Sequence, residues 1–206
     1  TGVEPKEAPL TPLAAPFPHG RPRRLRRTPW IRSLVAETRL TPADLIWPIF
    51  VRDGRDIEEP VASLPGVSRL SLDRAVRAAE EAAALGIPCV AIFPYTQAAD
   101  KNSDATEAWN PENLVCRATR AIKAAVPEVG ILLDVALDPY NSDGHDGLVR
   151  DGVVQNDETL LALEKMALVQ AEAGCDILGP SDMMDGRIGV IRQALESHDF
   201  PDTLIM

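Results

Sequence analysis

From about Leu45 onward, short apolar runs alternate with longer amphipathic ones, and this alternation limits the chain to a strand-helix-strand architecture. The strand candidates are Leu45–Val51, Cys89–Tyr95, Gly130–Leu137, Cys175–Pro180 and Thr203–Met206. Each is continuously apolar, as parallel strands buried on both faces should be. Between them, Ser71 is placed to cap a helix with Leu72, Ala75, Val76, Ala79 and Ala83 on its apolar face and Gly86 at its end. Asn110 before Pro111 marks a second helix start, with Pro127 as its stop. Asn156, with Asp157 and Glu158 in the first turn, opens a third helix that runs to Gly174. A fourth begins near Asp185 and is expected to bury Ile188, Ile191 and Leu195.

Two α/β architectures fit such repeated units, an open doubly wound sheet and a (β/α)8 barrel. The chain has neither a G-x-G-x-x-G after the first strand nor a P-loop, so nucleotide-binding open sheets lose their main signal. The fifth strand candidate runs into the last residue, Met206, which leaves an unpaired apolar edge and gives the expectation of an incomplete barrel.

The chain has 206 residues, 45% of them hydrophobic, enough for one sizeable core. A formal net charge of -10 argues against nucleic acid as the main partner. Arg21, Arg23, Arg24, Arg26 and Arg27 form a local basic exception, read as an arm that docks on an acidic neighbour. The preceding residues are rich in proline (Pro5, Pro9, Pro12, Pro16, Pro18) and lack periodicity, so residues 1–35 are expected to form an extended arm and 36–206 the catalytic domain. No apolar run approaches the roughly 20 residues that span a bilayer, and the start lacks a signal-type core, so no membrane partner and a cytoplasmic location are expected. Cys89, Cys116 and Cys175 lie far apart without a C-x-x-C pair, and are expected in the core.

Barrel enzymes place their chemistry at the carboxyl ends of strands. There the third candidate strand gives Asp134, Asp138 and Tyr140, followed by Asp143, His145 and Asp146, and the fourth ends at Ser181 and Asp182. Asp134 interrupts an apolar run, where a buried carboxylate is costly unless paired or used. Asp138, Asp143 and Asp146 could hold a hard cation or form a solvated loop, and spacing alone favours the loop. His145 is either an acid-base group or the rim of a turn. Ser181 lacks the G-x-S-x-G setting of a nucleophile and is a candidate for hydrogen bonding to substrate.

The stretch Asp134-Val-Ala-Leu-Asp-Pro-Tyr-Asn-Ser-Asp-Gly-His-Asp-Gly147 resembles the metal-site segment of the porphobilinogen synthases (5-aminolevulinate dehydratases). Arg21-Pro-Arg-Arg24, Leu45–Val51, Leu64-Pro-Gly-Val67, Phe93-Pro-Tyr-Thr96, Asn110–Arg117 and Gly179–Gly186 match in the same order, so the likeness covers nearly everything after the first twenty residues. It implies a (β/α)8 TIM barrel with an extended N-terminal arm, of which only about the first five strands are present. It also implies a hydro-lyase that condenses two 5-aminolevulinate molecules to porphobilinogen, with loss of two waters, through a lysine Schiff base.

Zinc-using members carry cysteines where this chain has Ala136, Asp138 and Asp146, so the chain resembles the zinc-independent branch, which uses Mg²⁺, a monovalent cation or no metal. Asp134 and Ser181 match an active-site aspartate and serine, with Asp138 and Asp146 lining the site and ordering water or a cation. The arm implies a homo-octamer or hexamer. Only Lys6, Lys101, Lys123 and Lys165 occur, none at a strand end, so the Schiff-base lysines are expected beyond residue 206. The competing expectations are another barrel aldolase or lyase, and a non-catalytic half-barrel that binds a full-length partner.

Overall fold

A computed structural model describes residues 15–206, which divide into two compact units at the Leu40–Thr41 junction. In the first unit the arginine-rich stretch is wound rather than extended. It forms a 3-10 turn at Pro22–Arg26, followed by helix α1 (Pro29–Leu34), each with a proline in its first turn. Its guanidinium groups tie the backbone locally: Arg21 donates to the Pro18 carbonyl (3.1 Å) and lies over the Phe17 ring, and Arg32 donates to the Arg26 carbonyl (2.9 Å). The expected arm residues Pro5, Pro9 and Pro12 lie outside the described residues.

The second unit is an α/β layer. In chain order its elements are β1 (Ile46–Val51), β2 (Glu58–Pro60), β3 (Ser68–Leu70), α2 (Leu72–Ala84), β4 (Cys89–Pro94), α3 (Leu114–Ala125), β5 (Gly130–Asp134), β6 (Val149–Arg150), β7 (Val153–Val154), α4 (Asn156–Glu172), β8 (Ile177–Gly179), α5 (Arg187–Ser197) and β9 (Leu204–Ile205). The main sheet has the order β2-β3-β1-β4-β5-β8-β9; only the β2–β3 pairing is antiparallel, and β6–β7 form a separate hairpin. β3 pairs parallel to β1 on one side, reached through β2 without a helix, and from β4 to β9 each connection adds its strand on the other side. An open doubly wound sheet reverses direction at a switch point. The helix-containing crossovers here all run one way, and with right-handed crossovers such growth puts their helices on one face, as in a (β/α) barrel.

The strand pattern departs from the expected two-sided burial. Val51, Val90, Ile92, Ile131, Leu133 and Leu178 are buried on the helix side, against Ala75, Ala79, Ile122, Leu163, Met166 and Ile191. Alternate positions, Phe50, Phe93, Leu132 and Ile177, are only half-buried, because the helices of this unit pack on the other face. Phe50 and Phe93 pair in register there, ring centroids 5.7 Å apart. The strands are apolar on both faces although only one is fully packed.

Several helix boundaries also move. Ser71 precedes α2, but its hydroxyl accepts from the Ile57 amide (2.9 Å) and donates to Asp73 (2.7 Å) rather than capping the helix. The cap of α3 is Asn113, whose side chain accepts from the Cys116 amide (2.9 Å); Asn110 closes the preceding turn on Glu112. In α4, Asn156 is the first helical residue, and its side-chain oxygen accepts from the Asp185 amide (2.8 Å). α5 buries Ile191 and Leu195, whereas Ile188 is exposed. Gly86 adopts the expected left-handed conformation after α2, and the three cysteines are buried and free.

Candidate active site

β5 ends at Asp134, so the carboxylate is the last residue of the strand rather than an interruption within it. In the strand alternation it shares the half-buried face of Leu132, away from the helices. Two contacts fix it. The Ser181 hydroxyl, just beyond β8, donates to Asp134 Oδ1 at 2.6 Å. Gln170 of α4, fully buried, donates from Nε2 to the Asp134 carbonyl at 2.9 Å. Burial pushes the Asp134 carboxyl above the usual range, the Ser181 hydrogen bond opposes this, and the nearby Asp146 charge adds to the rise.

The loop that follows carries the other acids. Burial raises Asp138, and the charges of Asp134 and Asp146 add to it, while Lys101 opposes it. Lys101 follows the 3-10 turn Ala98–Asp100 after β4 and thus belongs to the carboxyl-end loops. Lys123 lies at the other end of the strands, where it pairs with Asp176 (2.6 Å) and donates to the Val129 carbonyl (3.0 Å), and Lys165 lies over the Trp109 ring. Lys6 is outside the described residues.

Carboxylate oxygens of Asp138, Asp146 and Asp182 lie within 4.8 Å of one another. The trio differs from the expected one, because Asp143 is exposed outside it and Asp182 takes its place. His145 is also exposed, with Nδ1 2.8 Å from the Asp146 carbonyl oxygen, so it rims the turn. Ala136 is buried. The donors gathered here are all carboxylate oxygens, the ligand type that hard cations take.

Three further residues organise this region: Asp182, read in the sequence only as a polar residue at a strand end, and Asn141 and Gln170, which did not stand out there. Asp182 is fully buried, and its Oδ2 accepts from the amides of Leu137 and Gly147, each at 3.1 Å. Burial, reinforced by the Asp146 and Asp138 charges, pushes its carboxyl up to about 7. Asn141, buried within the loop, donates to the Gly147 carbonyl (3.0 Å) and to that of His145, and accepts from the amides of Gly144 and His145. Gln170 is the third. Gln170 alone lies between apolar neighbours, Val169 and Ala171, whereas Asn141 and Asp182 sit in polar stretches that read as ordinary loop.

A one-directional parallel ladder with acids and a hydroxyl grouped beyond its strand ends defines this second unit as part of a (β/α)-barrel of the enzyme type. Comparison with known proteins makes the assignment specific. The family profile described as Delta-aminolevulinic acid dehydratase matches residues 19–206. The Delta-aminolevulinic acid dehydratase of Bradyrhizobium diazoefficiens is 56% identical over 186 residues, covering 90% of this chain and 53% of that protein. That of Rhodobacter capsulatus is 52% identical over 199 residues, covering 96% of this chain and 59% of that protein. The crystal structure of the Toxoplasma gondii ME49 enzyme in complex with its reaction product porphobilinogen superposes with a TM-score of 0.88 at 43% identity, covering 91% of this chain and 53% of that one. The chain therefore belongs to the delta-aminolevulinic acid dehydratase family. It spans about half the length of the curated relatives it matches.

Proposed function

We propose that these residues form the amino-terminal half of the active site of a porphobilinogen synthase, which joins two 5-aminolevulinate molecules and releases two waters. The observation that carries this is the Asp134–Ser181 pair, a half-buried carboxylate held at 2.6 Å by a hydroxyl at adjoining strand ends, in a chain of this family. Pyrrole formation requires protons to leave carbon and nitrogen and two oxygens to depart as water, so it needs a group that both takes up and releases protons. A carboxyl raised by burial is suited to that, and Ser181 orients it while its hydroxyl oxygen can accept a hydrogen bond from substrate. The ketone is activated as a Schiff base on a lysine supplied by another part of the full-length protein.

Asp138 and Asp146 would hold a Mg²⁺ or monovalent cation; when bound, the ion neutralises the carboxylates and orders water. With aspartate at both positions and alanine at 136, the reading extends to the zinc-independent branch. The arm, residues 1–35, is assigned to subunit contacts in a homo-octamer or hexamer; its exposed Trp30 and Leu34 and its arginines support that role. No helix among the described residues is long and apolar enough to cross a membrane, and a cytoplasmic location is part of the same proposal.

The test uses the full-length protein that contains these residues. Incubated with 5-aminolevulinate it yields porphobilinogen, and borohydride traps a substrate adduct on a lysine outside residues 1–206. Absence of both product and adduct would refute the assignment. A zinc-selective chelator leaves the rate unchanged, whereas a zinc-dependent enzyme would be stopped. Ser181→Ala removes the hydrogen bond that favours ionised Asp134, so the Asp134 pKa rises. With Asp134 acting as a base, the acid limb of the kcat/KM profile moves to higher pH; a shift to lower pH, or none, would dissociate Ser181 from Asp134 ionisation.

A further inference from the structure

Asp182 is a fully buried carboxylate that the proposed chemistry does not use, and it sits where two distant points of the chain converge. Its Oδ2 accepts from the amide of Leu137 and from that of Gly147, both at 3.1 Å. These two amides begin and end the acidic loop. The residue next inside the first is Asp138, and the residue next inside the second is Asp146. One oxygen thus grips the backbone one position outside each of the two carboxylates that line the site, and those carboxylates lie with Asp182 in a group of oxygens within 4.8 Å.

The surroundings make the grip specific. Gly147 has φ +77°, and a Cβ there would meet Met184 Cε at 2.9 Å, Thr159 Oγ1 at 3.0 Å and Val154 Cγ1 at 3.1 Å, so the loop end has little room to slide. The next amide, Leu148, donates to Thr159 Oγ1 (2.9 Å), which continues the anchoring onto α4. On the other side, Leu137 is fully buried. The Asp182 backbone is held in turn by the Met184 amide, which donates to its carbonyl at 2.9 Å.

We infer that Asp182 is a positioning residue: by closing the loop between Leu137 and Gly147 through one carboxylate oxygen, it sets the separation of Asp138 and Asp146. Its part is played by an acceptor oxygen, so an amide in its place preserves the function and an aliphatic group does not. The activity arm of the test rests on the reaction proposed above, whereas the structural arm does not.

The experiment uses the full-length protein with Asp182→Asn and Asp182→Ala. Amide hydrogen exchange is followed in peptides spanning residues 135–148, and kcat and KM are measured with 5-aminolevulinate. The asparagine oxygen can accept both N–H groups, so exchange in this segment stays at the wild-type rate and kcat within about 5-fold. The alanine variant exchanges at least about 10-fold faster there, and its kcat falls by about 30-fold or more with a smaller change in KM.

Equal loss of kcat in both variants with native exchange in Asp182→Asn would overturn the inference, because the charge rather than the grip would then be required. So would wild-type exchange and kcat in Asp182→Ala. Should the alanine variant fail to fold, Asp182→Asn decides alone: native exchange with retained kcat sustains the grip, and native exchange with kcat lost overturns it. A wild-type protein that makes no porphobilinogen would count against the reaction, and exchange would still report on the grip.

Discussion

Asp134→Asn in the full-length protein is expected to lower kcat with 5-aminolevulinate by about 1,000-fold or more, with the fold intact. The amide is nearly isosteric and its oxygen can still accept from the Ser181 hydroxyl, which now sits 2.6 Å from the carboxylate. The Asp134 carbonyl bond from Gln170 involves only backbone on the aspartate side and is untouched. Burial currently works against ionisation at this position, so removing the carboxylate also removes a desolvation cost, and thermal stability should be unchanged or slightly higher. The variant therefore separates chemistry from architecture. Ser181→Ala alone should cost far less, about 10- to 100-fold, because it perturbs the carboxylate without removing it. In the double variant the serine substitution should add almost nothing, since groups that act as one unit are not additive. An Asp134→Asn enzyme that kept a tenth of wild-type kcat would assign Asp134 to substrate binding or to structure.

The strand-helix alternation was legible because five apolar runs, each within a few residues of its final bounds, were separated by segments of helical period. Which of two parallel architectures they built was not settled by periodicity, because both use the same units; the order β1-β4-β5-β8-β9 decides it, and strand order is a long-range property. The short strands β2, β3, β6 and β7 went unread because two or three residues carry no measurable period. Asp134 and Ser181 could each be singled out locally, but their 2.6 Å contact joins positions from different strands and exists only after folding. The acidic group was half read: Asp138 and Asp146 belong to it, and Asp143 was included by proximity in sequence, whereas Asp182 reaches it across the sheet. Ser71 shows the converse. Its position before a helix was correct, yet the cap was forfeited because the Ile57 amide competes for the same oxygen.

Asn141→Ala is the second large effect expected, and it should appear as local opening of the loop more than as loss of the whole fold. The wild-type side chain is buried and makes hydrogen bonds to both sides of the turn: it donates to the carbonyls of Gly147 and His145 and accepts from the amides of Gly144 and His145. Alanine replaces none of these. Ser142, Asp143, Gly144 and His145 are exposed, so most of the released groups can turn to water. Gly147 is buried, and its carbonyl is left without that partner in a place water reaches only if the loop opens. Losing several net hydrogen bonds, one with a buried acceptor stranded, costs about 3 kcal/mol, which corresponds to roughly 100-fold faster amide exchange in the loop. The midpoint of global unfolding should move little, because Leu133, Leu163, Leu178 and the rest of the core make no use of this side chain. Asn141→Asp tests the direction of the bonds: it keeps both acceptors, loses both donors and adds a negative charge to a loop that already carries Asp138, Asp143 and Asp146. It should therefore open the loop as well, and, relative to wild type at the same pH, more at pH 8 than at pH 5, since burial and the neighbouring acids push the new carboxyl above the usual range and the added repulsion exists only when it is ionised. Wild-type exchange in both variants would mean that the loop is held from outside by Asp182 alone. Faster exchange in Asn141→Ala with wild-type kcat would mean that the reaction does not depend on where the loop places its acids.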